Sequence, residues 1–347
     1  MSPPWRPPPV VQAPMAGGWT TPALVAAVSE AGGFGFLAGA RLTADELRGQ
    51  IAEVRRRTRR PFGVNLLIPT VAPGDTEGGL DHPVLARIRR RLDLPSQPTA
   101  PPRPATVDEA LDVAIQDRVA VVSFAMGSPA PFVERLHRAR VTVVGTATTV
   151  AEAEEVAAAG ADAVVAQGAE AGGHRGTFLT GGSRELPLVG TMALVPQVVD
   201  AVALPVLAAG GIMDGRGARA ALALGAAAVQ LGTRFLLASE SGAPAGYRRR
   251  LLEAVETDTV VTDVFSGRPA RGLRNPFVEA FEAAGDAPLP WPRQGQAAAE
   301  IYRRSLETDG DWAPLFAGQG LRLARREQPA AEIVAELLAA VAGPARA

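Results

Sequence analysis

The chain of 347 residues contains neither cysteine nor lysine: its 35 basic residues are all arginine, and it has three histidines. Without cysteine there can be no thiol nucleophile, disulfide, thiolate zinc site or iron–sulfur cluster. Without lysine there is no Schiff-base chemistry and no lysine of a phosphate-binding P-loop. Long apolar runs are also missing. No stretch approaches the ~18 uninterrupted apolar residues of a membrane-spanning helix. Prolines break up the opening "MSPPWRPPPVVQAP", so no signal peptide is expected and a cytoplasmic location is. Nor does one sign of charge dominate. The 35 arginines face 36 acidic residues, a net charge of −1, which argues against a general electrostatic grip on nucleic acid or an anionic membrane.

What is present is apolar: 47% of residues are hydrophobic and 20% charged, enough for a large buried core. Short apolar runs alternate with helical patterns, the rhythm of βα units on a parallel sheet. Strands are expected at Val10–Ala13, Gly33–Ala38, Phe62–Ile68, Val119–Ala125, Val141–Thr146, Ala163–Gly168, Val206–Gly210 and Ala228–Gly232. Helices are expected between them, at Pro22–Ala31, Ala44–Thr58, Val150–Ala159 and Gly217–Leu224 among others. The strands are apolar on both faces, as a sheet covered on both sides requires. The fold class is therefore α/β, a TIM (β/α)8 barrel over residues 1–240. Residues 69–81 and 95–105, rich in proline and glycine, read as loops around a basic helix near 82–93 and as an arm or lid over the barrel mouth. Residues 241–320 read as a smaller, mainly helical C-terminal domain on the substrate side. Residues 321–347 read as a tail whose helix near 328–342 packs back on the barrel.

In such barrels chemistry sits at the C-terminal strand ends. Here those ends read "QAPMAGG", "FLAGA", "GVNLLIP", "SFAMGSP", "GTATT", "QGAEAGGHRG", "AAGGIMDGRG" and "QLGTRF". Glycine recurs, so backbone can approach a ligand closely. The last two loops offer bare backbone N–H groups where barrels usually bind phosphate, together with a helix N-terminus. Such loops also occur for turn geometry alone. Asn65 and Gln167 carry amides that can either meet the carbonyls and ring nitrogens of a flat heterocycle or bridge neighbouring loops. Met15, beside Pro14, can pack on a ring or act as filler. His82 precedes a proline and His137 lies in the charged helix "PFVERLHRAR", so neither suggests chemistry. A lone His174 would read as a structural imidazole. At a strand end beside a phosphate and ring site it becomes the candidate for proton transfer, with an ordinary pKa near about 6.5.

Taken in order, "QAPMAGG", "PFGVNLLIP", "VVSFAMGSP", "QGAEAGGHRG", "AAGGIMDGRG", "QLGTRFLLASESGA", "FSGRPARGLRNPFV" and "FAGQG" resemble the flavin-dependent nitronate monooxygenases, formerly called 2-nitropropane dioxygenases. The resemblance runs from about residue 10 to residue 325. It implies an FMN-binding barrel that oxidises alkyl nitronates, with nitroalkanes as a further class, by O2 to carbonyl compounds and nitrite. Carried over, it places Ala13, Pro14 and Met15 along the flavin. It places Asn65, Gln167, Gly172, Gly173, Gly210, Gly211, Gln230, Leu231, Gly232 and Thr233 around the ring and phosphate, and it makes His174 the active-site histidine. No metal is implied, and the partners are a small nitronate and O2, with a monomer or homodimer as the assembly. The family's usual lysine is absent, and "PLPWPRQ" puts Trp291 where its tyrosine would be expected. Related FMN barrels that oxidise NAD(P)H, a quinone reductase or an enoyl-thioester reductase, are the alternative. "EAGGHRG" with "ESGA" and "GLRNPF" favours the monooxygenase. Cysteine-dependent barrels acting on nucleotides are excluded by composition, and a non-catalytic flavin carrier would leave His174 without a role.

Overall fold

The computed structural model describes residues 5–68, 74–99, 101–179 and 186–343. Its strands are β1 (Val10–Gln12), β2 (Phe34–Ala38), β3 (Gly63–Leu67), β4 (Val121–Ala125), β5 (Thr142–Ala147), β6 (Ala163–Gln167), β7 (Gly173–His174), β8 (Val206–Ala209), β9 (Ala228–Leu231), β10 (Thr259–Thr262) and β11 (Ala270–Leu273). Eight of them form a closed parallel barrel in the order β1-β2-β3-β4-β5-β6-β8-β9, and β9 pairs with β1 to seal it. The eight expected strands are all there, most shortened at one or both ends.

Alternation along each strand sets the packing. Val11, Phe34, Phe36, Val121, Val144 and Val165 form one apolar cluster in the barrel interior. Their chain neighbours Val10, Leu37, Val122, Val143 and Val164 belong to another, shared with the surrounding helices. Gly63 is small of necessity, because a Cβ there would run into the Phe36 ring. Burying a side chain of this size stabilises by about 1.5–3 kcal/mol relative to leaving it exposed, so this double layer is the main source of stability.

The helices start where the sequence supplies caps. Thr43 precedes the helix Ala44–Arg57, and Thr106 precedes Val107–Gln116. Each forms a reciprocal box with the glutamate three residues on, satisfying two otherwise unpaired N–H groups. The helix expected from Gly217 begins two residues earlier, at Gly215, because the Asp214 carboxylate accepts from the N–H groups of Arg216 and Gly217.

The arm contains the expected helix, at Pro83–Arg91, capped by His82 Nδ1, which accepts from Val84 N at 3.2 Å. Residues 74–81, 95–99 and 101–105 are turns and irregular chain, as expected, whereas 69–73 and 100 lie outside the described residues. Val84, Leu85 and Ile88 pack into a second apolar cluster with Phe277, Phe281, Ile301, Tyr302 and Leu315 from the C-terminal third. Buried Arg89 fastens the arm. It donates to Pro95 O at 2.6 Å, to Gln97 O at 3.0 Å and to Glu300 Oε2 at 2.5 Å.

The C-terminal third has mainly helical regular structure, including the short helix Arg293–Ala297, with one addition that was not expected. Besides the helices Ala245–Glu253, Pro276–Ala284 and Ala299–Leu306 it contributes β10 and β11, an antiparallel pair whose inner strand also pairs with β7. "TVVT" is β-branched throughout, but four residues are too few to show a period. The closing helix, Ala330–Ala342, packs on Gly215–Ala223 and Pro22–Glu30 through Ile333, Val334 and Leu337. Among the described residues, no helix is long and apolar enough to cross a membrane.

Candidate functional site

A cavity of about 640 Å³ opens at the C-terminal end of the barrel, within the ~300–1,000 Å³ usual for small-molecule sites. Its wall includes Ala13, Pro14, Met15, Asn65, Gln167, Gly172, Gly173, His174, Gly210, Gly211, Gln230, Gly232 and Thr233, so one space gathers nearly every residue singled out in the sequence. Leu231 is the exception. Alternation along β9 turns its side chain into the layer between sheet and helices, and only its carbonyl serves the rim, accepting from Ala13 N at 2.8 Å. The segment 13–20 is organised from beneath by two residues with no chemical signature in the sequence. Buried Gln12 bonds Phe36 N at 3.1 Å and Thr20 Oγ1 at 3.3 Å, and that hydroxyl accepts from Met15 N at 2.9 Å.

The loops after β8 and β9 are glycine-rich for a local reason. Gly210 and Gly211 have φ of +120° and +69°, a region where a side chain is strained. Among the described residues, the N–H groups of Gly210, Gly211, Ile212, Gly232 and Thr233 have no backbone acceptor. A short helix, Thr233–Leu236, starts at the second of these loops. The helix after β8, Gly215–Ala223, has its N-terminus capped by Asp214, whose carboxylate also pairs with Arg216 at 2.5 Å.

The loop after β6 explains the glycines around the histidine. A Cβ on Gly172 would lie 2.6 Å from the carbonyl carbon of Ala317, and one on Gly176 would lie 2.9 Å from Thr146 Cγ2. The glycines make room for the incoming 317–318 backbone and for the end of β5. Gln167 bridges this loop, donating to His174 O at 3.1 Å and accepting from Gly176 N at 2.8 Å. Asn65 donates to Ser123 O and Oγ at 3.2 and 3.0 Å. Arginines clamp the loop carbonyls: Arg175 reaches Gly168 O at 2.6 Å, and Arg271 reaches Ala169 O at 2.9 Å. Glu170 turns its carboxylate onto Thr191 N, at 2.8 Å, and so caps the helix Thr191–Ala201.

His174 sits on β7, opposite Ala270 of β11. Its Nε2 is 2.7 Å from Ser266 Oγ, and its ring meets Trp291 edge-on and Phe316 at a tilt, both at 5.3 Å between centroids. Burial first, then the positive charges of Arg41 and Arg268, lower its pKa from the ordinary 6.5 to about 3. The ordinary imidazole expected from sequence is therefore corrected: in the free protein this ring is neutral and a weak base. The tyrosines nearby are committed elsewhere. Tyr247 and Tyr302 donate to the carbonyls of Phe316 and Phe265 at 2.5 and 2.6 Å, and burial raises both pKa values.

Three features of this wall escaped the sequence: Ser266, the arginine clamps and Arg41. For Arg41 a signal existed, since it directly follows the strand end "FLAGA". The carbonyl that Arg271 clamps lies 102 residues away along the chain, too far to be read.

The fold and its motifs have known counterparts. A nitronate monooxygenase family model matches residues 6–340. A probable nitronate monooxygenase of Staphylococcus haemolyticus is 44% identical over 321 residues, covering 91% of this chain and 89% of that protein. A relative of the same description from Staphylococcus aureus is 41% identical over 335 residues, 95% of this chain and 93% of its own. Among solved structures, a nitroalkane oxidase from Streptomyces ansochromogenes superposes with a TM-score of 0.87 at 42% identity, covering 97% of this chain and 96% of its own. FabK from Thermotoga maritima superposes with a TM-score of 0.74 at 34% identity, covering 96% and 92%. The chain is an enzyme of the nitronate monooxygenase family.

Proposed function

We propose that the chain is an FMN-dependent monooxygenase that oxidises alkyl nitronates with O2 to carbonyl compounds and nitrite. One observation carries this reading. A single cavity combines unpaired backbone N–H groups in the two loops where barrels bind phosphate, small or apolar residues along one wall, and no carboxylate among its described lining residues. These residues fit FMN. Gly210, Gly211, Ile212, Gly232 and Thr233 would hold the phosphate, with no lysine required. Ala13, Pro14, Met15 and the amides of Asn65 and Gln167 would line the ring. FMN, when bound, supplies the electron acceptor for a nitronate and the means of reducing O2.

The chain's own groups do the rest. Trp291, Phe316 and Phe265 line the cavity around His174 and would shield substrate from water there. His174, held by Ser266, presents a neutral imidazole that positions substrate by hydrogen bonding. A nitronate arrives already deprotonated, so a weakly basic histidine suffices. To test the reading, the protein is loaded with FMN and mixed without oxygen, once with ethyl nitronate and once with NADH. Oxygen is then admitted and nitrite is measured. The nitronate should bleach the visible absorption and yield nitrite, while NADH should do neither. Bleaching by NADH alone would replace this reading with an NAD(P)H-dependent reductase. Finding FAD, or no retained flavin, would remove FMN from it.

A further inference from the structure

Arg41 is the one charged side chain among the described residues lining the cavity. It occupies the turn after β2, where Gly39 N donates to Asn65 O at 2.9 Å and Ala105 N donates to Leu42 O at 2.8 Å, so the backbone is held on both sides. Its φ is +71°, a costly conformation for a residue with a Cβ. Space is left for its head: a Cβ ideally placed on Gly295 would lie 2.9 Å from Arg41 Nη2. Arg41 lines the cavity and is exposed there, crowding by the surrounding protein lowers its pKa, and no carboxylate among the described residues acts on it. It is close enough to His174 for its charge to disfavour the imidazolium. The hydroxyls of Tyr247 and Tyr302, which also line the cavity, already donate to backbone.

A cation at the wall of a cavity, with no anion beside it among the described residues, has an unmet requirement, since opposite charges attract more strongly against protein than in open water. A guanidinium is also a planar fork, matched in shape to a group bearing two oxygens in one plane. We propose that Arg41 is the specificity-determining residue of this cavity, its guanidinium gripping the two-oxygen end of a small organic monoanion with an apolar tail. Nitronates and carboxylates share that head. The inference rests on the proposed function for the identity of the substrate but not for the selection of charge. Neutral molecules of the same shape are discriminated against because they displace water from the guanidinium without supplying a counter-charge.

The test separates the two readings. Calorimetric titration of FMN-loaded protein compares sodium propionate with propionamide, its neutral counterpart, in wild type, Arg41→Gln and Arg41→Lys. Wild type should bind propionate at least about tenfold more tightly, Arg41→Gln should erase the preference, and Arg41→Lys should restore most of it. In parallel, the KM for ethyl nitronate should rise about tenfold or more in Arg41→Gln with a smaller change in kcat. NMR should show the His174 pKa moving upward in that variant, a readout independent of turnover. Equal binding of the two probes by wild type, or a preference that survives in Arg41→Gln, would overturn the inference. So would loss of FMN from Arg41→Gln, which would assign the guanidinium to the cofactor. Absence of nitrite from wild type would count against the monooxygenase alone, while the propionate titration would still decide the role of Arg41.

Discussion

His174→Ala should lower kcat/KM by about tenfold on a nitronate and by a similar factor on the matching nitroalkane, short of the ~10²–10⁴-fold cost of losing a general base. An imidazole whose pKa lies at about 3 gains little by taking a carbon-bound proton. Parallel assays of both substrates at one pH check this, and a much larger loss on the nitroalkane would reinstate the base. Glycines give a second residue-scale expectation. At Gly232, φ is −103° and a Cβ would make ordinary contact with the Ala13 Cβ at 3.7 Å. Gly232→Asp should therefore expel the proposed FMN through charge repulsion while the melting temperature stays near wild type. Gly211→Asp should lose FMN as well and add about 1–3 kcal/mol of destabilisation, since its φ of +69° disfavours any side chain. At this scale the sequence located His174 and most of the cavity wall, because strand-end position is legible from pattern alone. It could not reveal the pKa, which depends on Arg41, Arg268 and burial by Trp291 and Phe316, brought together only by folding.

A buried ion pair helps to fasten the arm. Glu300→Leu would leave Arg89, 2% exposed, without its counter-charge. Glu300 keeps partial access to water, so the expected cost is about 2 kcal/mol rather than the ~3–5 kcal/mol of a fully sealed pair. Urea unfolding should show this, with Arg89→Met/Glu300→Leu recovering most of it and the single variant more readily cleaved by protease near residues 95–99. Barrel strands and helices were readable as elements because each carries several residues of periodic pattern and, at Thr43 and Thr106, an explicit cap. The sheet β10-β11-β7 was not. Its strands are two to four residues long, and β7 is recognisable only once β11 lies beside it.

For the molecule as a whole, His174 ties stability to acidity. Its folded pKa of about 3 lies below the ordinary 6.5, so the unfolded chain takes up the proton first as pH falls. The folded state should lose stability from about pH 6.5 downward toward pH 3. Arg41 and Arg268 remain charged throughout and cannot relieve the repulsion. Urea midpoints at a series of pH values should fall more steeply on the acid side for wild type than for His174→Asn. Parallel curves would contradict the assignment of this acid sensitivity to His174. The pairing of β7 with β11 has a further consequence, in the order of synthesis. Every barrel strand, with both glycine loops, precedes Thr233, whereas the strand that braces His174 arrives only with Ala270–Leu273. A chain emerging from the ribosome can thus close its barrel and form the loops proposed to hold phosphate while the histidine wall still lacks its brace. If the loops hold FMN as proposed, cofactor capture comes before competence, and half-made chains are spared a working oxidation site.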